Sequence, residues 1–177
     1  MKKKTLALVL ALTLLVAGIV GGTLAWLTDQ TAEVKNTFTV GDISIGLTET
    51  TTDYKMVPGN TIAKDPTVTV KANSEACWLF VKVTESTDLK DFITYAIAEG
   101  WTALPGVDGV YYREVPASAA DQTFSVLAGD AVTVKSDVTR TMLETAKTDA
   151  PTLTFQAYAI QRDHFATADA AWAEVSK

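Results

Sequence analysis

The stretch Cys77–Thr84, CWLFVKVT, carries the strongest signal for the fold. Its first five residues are apolar. In an extended chain its apolar residues fall on both faces: Trp78 and Phe80 on one, Leu79, Val81 and Val83 on the other. A strand that is apolar on both faces is covered on both. The stretch therefore predicts a central strand, in which Cys77 is a small buried hydrophobe and not a reactive thiol.

Further strand patterns lie on both sides of this central strand. Alternating or short apolar runs predict about eight or nine strands, including residues 34–47, 67–70, 92–98, 110–115, 122–127, 131–135 and 152–161. Within 34–47 the apolar face changes at Gly41–Asp42, which predicts a bend or bulge there.

Turn signals separate several of these strands. Pro58-Gly59-Asn60 predicts a turn, because proline fixes φ and glycine accepts a positive φ. Asp108-Gly109 predicts a hairpin, and Ala128-Gly129-Asp130 predicts a second hairpin between the strands that flank it.

Helices are expected to be few and short. Residues 86–91 are compatible with a short helix or a loop, and residues 139–147 with a short helix. Thr167 is a candidate N-cap for a final helix whose apolar side carries Trp172 and Val175. The sequence as a whole predicts an all-β fold, a single antiparallel, jelly-roll-like β-sandwich over residues 26–177, with one or two short helices.

Composition excludes several classes of function. The chain has 177 residues and a formal charge of −6, so nucleic acid is not an expected partner. Threonine accounts for 27 residues against 7 serines, which suits exposed sheet faces. A single cysteine and a single histidine exclude an internal disulfide and a zinc site with several cysteine or imidazole ligands within one chain. No cofactor or metal site is expected.

The N-terminus has the pattern of an export signal. Three lysines precede the apolar run Leu6–Val20, and Gly21-Gly22 follows it. Fifteen helical residues span about 22 Å, less than the roughly 30 Å hydrocarbon core of a bilayer. Residues 1–25 are therefore interpreted as a signal peptide that is cleaved between Ala25 and Trp26, so that the protein meets the membrane only before cleavage. The alternative is an uncleaved anchor over residues 5–27.

The cleavage region carries a family resemblance. The segments GGTLAWLTD, residues 21–29, and NTFTVGDI, residues 36–43, resemble the start of TasA/CalY (camelysin) family proteins. The resemblance implies processing by the signal peptidase SipW. It also implies a secreted matrix protein of a Gram-positive bacterium with a jelly-roll-like sandwich.

The resemblance further implies a mode of assembly. Family members build biofilm fibres by donating an N-terminal strand to a neighbouring subunit. On this chain the donor segment begins with residues 26–36 and extends to Val40, and its candidate assembly residues are Trp26, Leu27, Val34, Phe38 and Val40. The expected partner is the protein itself or a related matrix subunit. The alternative is a strand that pairs within its own domain.

Two other classes of function stay open at this point. One is a monomeric binding module, such as an adhesin, that is secreted or membrane-anchored. The other is the metallo-endopeptidase activity that has been described for camelysin. One histidine, His164, does not provide a histidine-rich zinc site, so we expect no enzyme and interpret His164 as a surface or junction residue.

Overall fold

A computed structural model describes residues 3, 42–51 and 54–177 of the chain. The described part is mostly β structure, with ten strands and three short helices. The strands are β1 (Ile45–Thr48), β2 (Thr61–Ala63), β3 (Thr67–Val70), β4 (Cys77–Glu85), β5 (Ile93–Thr94), β6 (Thr102–Ala103), β7 (Val110–Val115), β8 (Gln122–Ser125), β9 (Ala131–Val134) and β10 (Leu153–Gln161). The helices are α1 (Leu89–Phe92), α2 (Arg140–Ala146) and α3 (Ala168–Val175).

The strands form three antiparallel sheets, in the orders β10-β4-β7-β6, β1-β3-β8 and β2-β9-β5. The prediction of an all-β antiparallel sandwich is confirmed. The central position of β4 is also confirmed, since it pairs with β10 on one side and with β7 on the other.

Both faces of β4 are buried, as its sequence predicts. Leu79 and Val81 are fully buried in the main core against Val68 and Val70 of β3. On the opposite face Phe80 is also fully buried, and there the covering element is α3, whose Trp172 ring lies 5.3 Å from the Phe80 ring between centroids. A second core lies beneath α1 and α2, against the β2-β9-β5 sheet.

The Asp108-Gly109 hairpin is confirmed, with β6 and β7 as its antiparallel arms. The second predicted hairpin is wrong. β8 pairs with β3 and β9 pairs with β2 and β5, so residues 128–130 carry the chain from one sheet to another. Gly129 and Asp130 both have positive φ, 66° and 49°, and form a 3₁₀ turn there. The turn residues were identified correctly, but a local turn signal does not fix which strands pair.

The strand predicted over residues 92–98 is also largely wrong. Phe92 closes α1, and the strand that follows is only Ile93–Thr94, with a single bridge from Ile97 to Leu127 beyond it. The apolar residues of this stretch pack into the cores from irregular backbone.

The predicted short helices at the C-terminal end are confirmed. Thr139 and Thr167 are the N-caps of α2 and α3, and each hydroxyl accepts a backbone N–H three residues ahead at 3.3 Å. The turn at Pro58-Gly59 is confirmed as well, with Gly59 at φ 80°.

The predicted signal peptide, residues 1–25, lies outside the described residues apart from Lys3. Residues 34–41, the first part of the strand predicted over 34–47, also lie outside them, as does Gly41 of the bend predicted at Gly41–Asp42. None of the helices in the part of the chain that the structure describes is long and apolar enough to cross a membrane.

Candidate assembly site

The outer edge of β10 is the longest unpaired strand edge within residues 42–51 and 54–177. β10 pairs with β4 over nine residues, from Leu153 opposite Glu85 to Gln161 opposite Cys77. No described strand pairs with its other side. Unpaired N–H and C=O groups along a strand of this length are a template on which a further strand adds.

The side chains that β10 turns toward the cores are less buried than their neighbours on β4. Leu79 and Val81 are 0% exposed. On β10 the residues of the same face are half-buried: Leu153, Phe155, Ala157 and Ala159. A strand added beside β10 would cover this apolar surface and so gain both main-chain hydrogen bonds and hydrophobic burial.

A groove of about 460 Å³ adjoins the start of β10. Its walls include residues 150–154, Ile62 and Val132 from the β2-β9-β5 sheet, and Leu89 from α1. Most of these side chains are apolar. We refer to the outer edge of Leu153–Gln161 together with this groove as the β10 edge.

A buried ion pair lies at one end of this groove. Lys64 is 6% exposed, and its Nζ donates to Glu49 Oε1 at 2.6 Å. The same carboxylate oxygen accepts the Tyr54 hydroxyl at 2.6 Å, and Nζ lies 4.7 Å from the Tyr54 ring centroid and 5.4 Å from that of Phe155. The pair ties the residues after β1 to the end of β2 and to β10.

Two neighbouring groups are held in fixed protonation states. Burial, together with the hydrogen bond to Glu49, raises the pKa of Tyr54 well above its usual range. Hydrogen bonds from the Thr50 hydroxyl and backbone N–H lower the pKa of Asp65. Near neutral pH the phenol therefore stays protonated and the Asp65 carboxylate stays ionised.

The opposite side of the sandwich also has an incompletely paired strand. β6 pairs with β7 only at Tyr111 and Tyr112, so Arg113–Val115 have no strand partner on that side among the described residues. β8, from the facing sheet, is the edge strand opposite them. We call the region where Arg113–Val115 approach β8 the Arg113 seam.

An arginine is stacked between aromatic rings in this seam. The guanidinium carbon of Arg113 lies 3.9 Å from the Phe124 ring centroid and 5.3 Å from that of Trp101. The Trp101 indole donates to the Ser125 carbonyl at 2.8 Å, which links the two sheets. Burial lowers the pKa of Arg113, but an arginine still stays protonated. This arrangement was not anticipated from the sequence.

The sequence-predicted site residues all lie outside the described residues. These are Ala25 and Trp26 at the cleavage point, and Leu27, Val34, Phe38 and Val40 along the donor segment. The structure describes instead the strand edges that would receive such a segment, which the sequence pattern did not single out.

The described residues offer few side chains that could together bind a catalytic metal ion. They contain no group of three or more His, Cys, Asp or Glu side chains that could hold a metal ion. His164 is exposed in the 3₁₀ turn Arg162–His164, as a junction residue would be. Cys77 is fully buried, and burial raises the pKa of its thiol to about 11, so it is a poor ligand at neutral pH.

A family model described as camelysin metallo-endopeptidase matches residues 1–89. The match covers half of the chain and extends through β4 to the first residue of α1. The chain belongs to this family. The resemblance seen in residues 21–43 is thereby confirmed. No curated protein and no solved structure matches the chain.

The camelysin family is described as one of metallo-endopeptidases. The residues described here do not fit the zinc site that such an activity requires, because the one histidine is exposed and no cluster of ligands surrounds it.

Proposed function

We propose that the exported form, residues 26–177, is a structural subunit of an extracellular matrix or of cell-surface fibres. The N-terminal segment 26–40 of one subunit adds as a strand to the β10 edge of the next. The observation that carries this proposal is the unpaired nine-residue edge of β10 with its half-buried apolar face. The partner is a second copy or a related subunit, and a SipW-type peptidase releases the segment.

The donor segment has a length and pattern that suit this edge. Extended, its fifteen residues span about 50 Å, and nine residues of β10 span about 30 Å. The segment can therefore cover β10 and leave several residues as a linker to its own domain. Val34, Phe38 and Val40 fall on one face of an extended chain, while Leu27 falls on the other.

This form of assembly produces an open filament. Each subunit gives a strand through its N-terminal segment and receives one at the β10 edge, so the two contacting surfaces differ. A heterologous contact that does not close into a ring extends without limit. Loss of three lysines with the signal peptide changes the formal charge from −6 to −9, and salt is expected to favour assembly by screening this repulsion.

The decisive experiment pairs a variant that cannot donate with one that cannot accept. Deletion of residues 26–36 removes eleven of the fifteen residues of the donor segment, including Trp26, Leu27 and Val34. Ala157→Glu places a carboxylate on the inward, half-buried face of β10 and blocks the acceptor. Each protein alone is expected to stay monomeric in light scattering and to form no fibres in electron micrographs. A mixture of the two is expected to give a heterodimer that grows no further.

The matched control is Gln156→Glu, at an exposed position of the same strand and opposite Lys82. It is expected to form fibres like the unmodified protein. Undiminished fibres after the deletion would refute the donor role, and undiminished fibres from Ala157→Glu would refute the β10 edge as acceptor. If the unmodified protein stays monomeric at every concentration, the fibre proposal is refuted, and the monomeric binding module is the function that remains.

A further inference from the structure

We propose that Arg113 excludes strand addition at the Arg113 seam, so that each subunit accepts a neighbour's strand at the β10 edge alone. The inference rests on the proposed function, because it concerns which of two edges receives the donated strand. It assigns to one residue the unbranched growth of the filament.

The first argument is the direction in which the side chain points. Tyr111 and Val115 share a face with Arg113 on β7, and both pack on the main core. Arg113 is therefore a charged residue on the inward face of a strand segment whose outer side is unpaired in the described part of the chain. Inward-pointing charges are one of the devices by which natural sheets prevent edge-to-edge association.

The second argument is the cost of covering this guanidinium. Its Nε is already buried without a hydrogen-bond partner among the described residues, and Arg113 forms no ion pair with them. An added strand at the seam would take the rest of the guanidinium out of water as well. Burying a charge that has no counter-ion is strongly unfavourable.

The third argument is that the side chain has little freedom to move aside. Its guanidinium lies over the rings of both Phe124 and Trp101. Gly100 lies on another side, and a Cβ at that position would come within 3.0 Å of Nη2. Arg113 therefore occupies the space in which the inward side chains of an incoming strand would pack.

The test counts donor strands bound per subunit. The receiving protein is the mature chain with Phe38→Asp, which keeps its full length but is impaired as a donor. A synthetic peptide of residues 26–40 is added in excess, and native mass spectrometry gives the stoichiometry. The receiving protein that keeps Arg113 is expected to bind one peptide, and the same protein with Arg113→Met is expected to bind two.

The matched control is Arg162→Met, which removes a more exposed arginine from the neighbouring surface, where it pairs with Glu114 at 3.0 Å. It is expected to bind one peptide. Arg113→Leu serves as a second neutral variant if Arg113→Met fails to fold, as judged by thermal unfolding. Arg113→Lys keeps the charge and is expected to bind one peptide.

The outcomes separate the two proposals. One peptide on every folded neutral Arg113 variant overturns the role of Arg113 and leaves the β10 edge intact. No peptide on the unmodified edge but one on Arg113→Met supports the role of Arg113 and overturns the proposed function. No peptide on any variant overturns both.

Discussion

At the scale of single residues, the buried pair of Lys64 and Glu49 makes a specific stability prediction. Lys64→Ala leaves the Glu49 carboxylate, 16% exposed, without its cation, and should lower the free energy of unfolding by about 3 kcal/mol. The double variant Lys64→Met with Glu49→Leu should recover most of this loss, because it removes both charges. Urea denaturation measures both values.

The surface pair of Lys147 and Glu144 is the control for this experiment. Their side chains are 69% and 53% exposed, and Lys147→Ala should cost about 0.5 kcal/mol or less. A similar loss from both lysines would contradict the view that burial makes the Lys64 pair important.

Cys77 leads to a prediction about pH. Its thiol has a pKa of about 11 in the folded chain, against a usual value of 9.0, because burial disfavours the thiolate. Above pH 9 the unfolded chain loses this proton first, so the thiol's contribution to stability is complete below pH 9 and declines as the pH rises toward 11. Urea denaturation at a series of pH values should show a steeper decline for the native protein than for Cys77→Ala. If the free energy of unfolding declines equally with pH in both proteins, the Cys77 thiol is not the cause of the decline.

Residue environments were predicted where apolar patterning determines them. The buried positions of Cys77 and Trp78 were expected from the run around them and are confirmed. Arg113 was missed although VYYREV puts it on the same face as Tyr111 and Val115. The signal was a charge at an inward position, but only the fold shows that Phe124 comes from another sheet to stack on it.

At the scale of elements, the β6–β7 hairpin depends on Gly109. This residue has φ 72°, and a Cβ there would collide with the carbonyl oxygen of Val83. Gly109→Ala should therefore cost about 3 kcal/mol, through backbone strain and the lost hydrogen bond from Val83 N–H to the Gly109 carbonyl, 2.7 Å in length. Thermal or urea unfolding measures the loss.

Gly106 in the same hairpin is the natural comparison. Its φ is 74°, but a Cβ at this position meets nothing within 4 Å. Gly106→Ala should cost about 1 kcal/mol from the positive φ alone. Equal losses at the two glycines would show that the close approach to Val83 is unimportant.

Elements were predicted best where a long apolar pattern supports them. β4 and β10 were found from the apolar patterns at residues 77–84 and 152–161, and α3 from its cap and its aromatic side. The hairpin expected around Gly129 failed because local turn chemistry does not specify strand partners, which here lie in different sheets. The strand expected at 92–98 failed because packing into the cores does not require extended backbone.

At the scale of the whole molecule, the family description and the chain's own residues lead to different expectations. With one histidine in the sequence, we expect the purified mature protein to bind no stoichiometric zinc and to show no chelator-sensitive hydrolysis of casein. Elemental analysis and a casein assay check this. Stoichiometric metal together with activity would establish a peptidase.

The fold class could be predicted from the sequence, whereas the pairing of the strands into sheets could not. Alternation and turn spacing predict strands, and an acidic composition rich in threonine excludes several alternatives. Which strand keeps an unpaired edge depends on how strands that are far apart in the sequence pair with one another. The candidate acceptor at β10 therefore required the structure, while the donor residues came from the sequence and its family resemblance.

The long ladder between β4 and β10 has a consequence for biosynthesis. Its two strands are separated by the 67 residues between Glu85 and Leu153. At translation rates of 5–20 residues per second, the ribosome needs about 3 to 13 s after completing β4 before it has made the start of β10. During this interval β4 lacks the neighbour with its longest ladder, and the nascent polypeptide should remain loose enough to be threaded through a translocation channel.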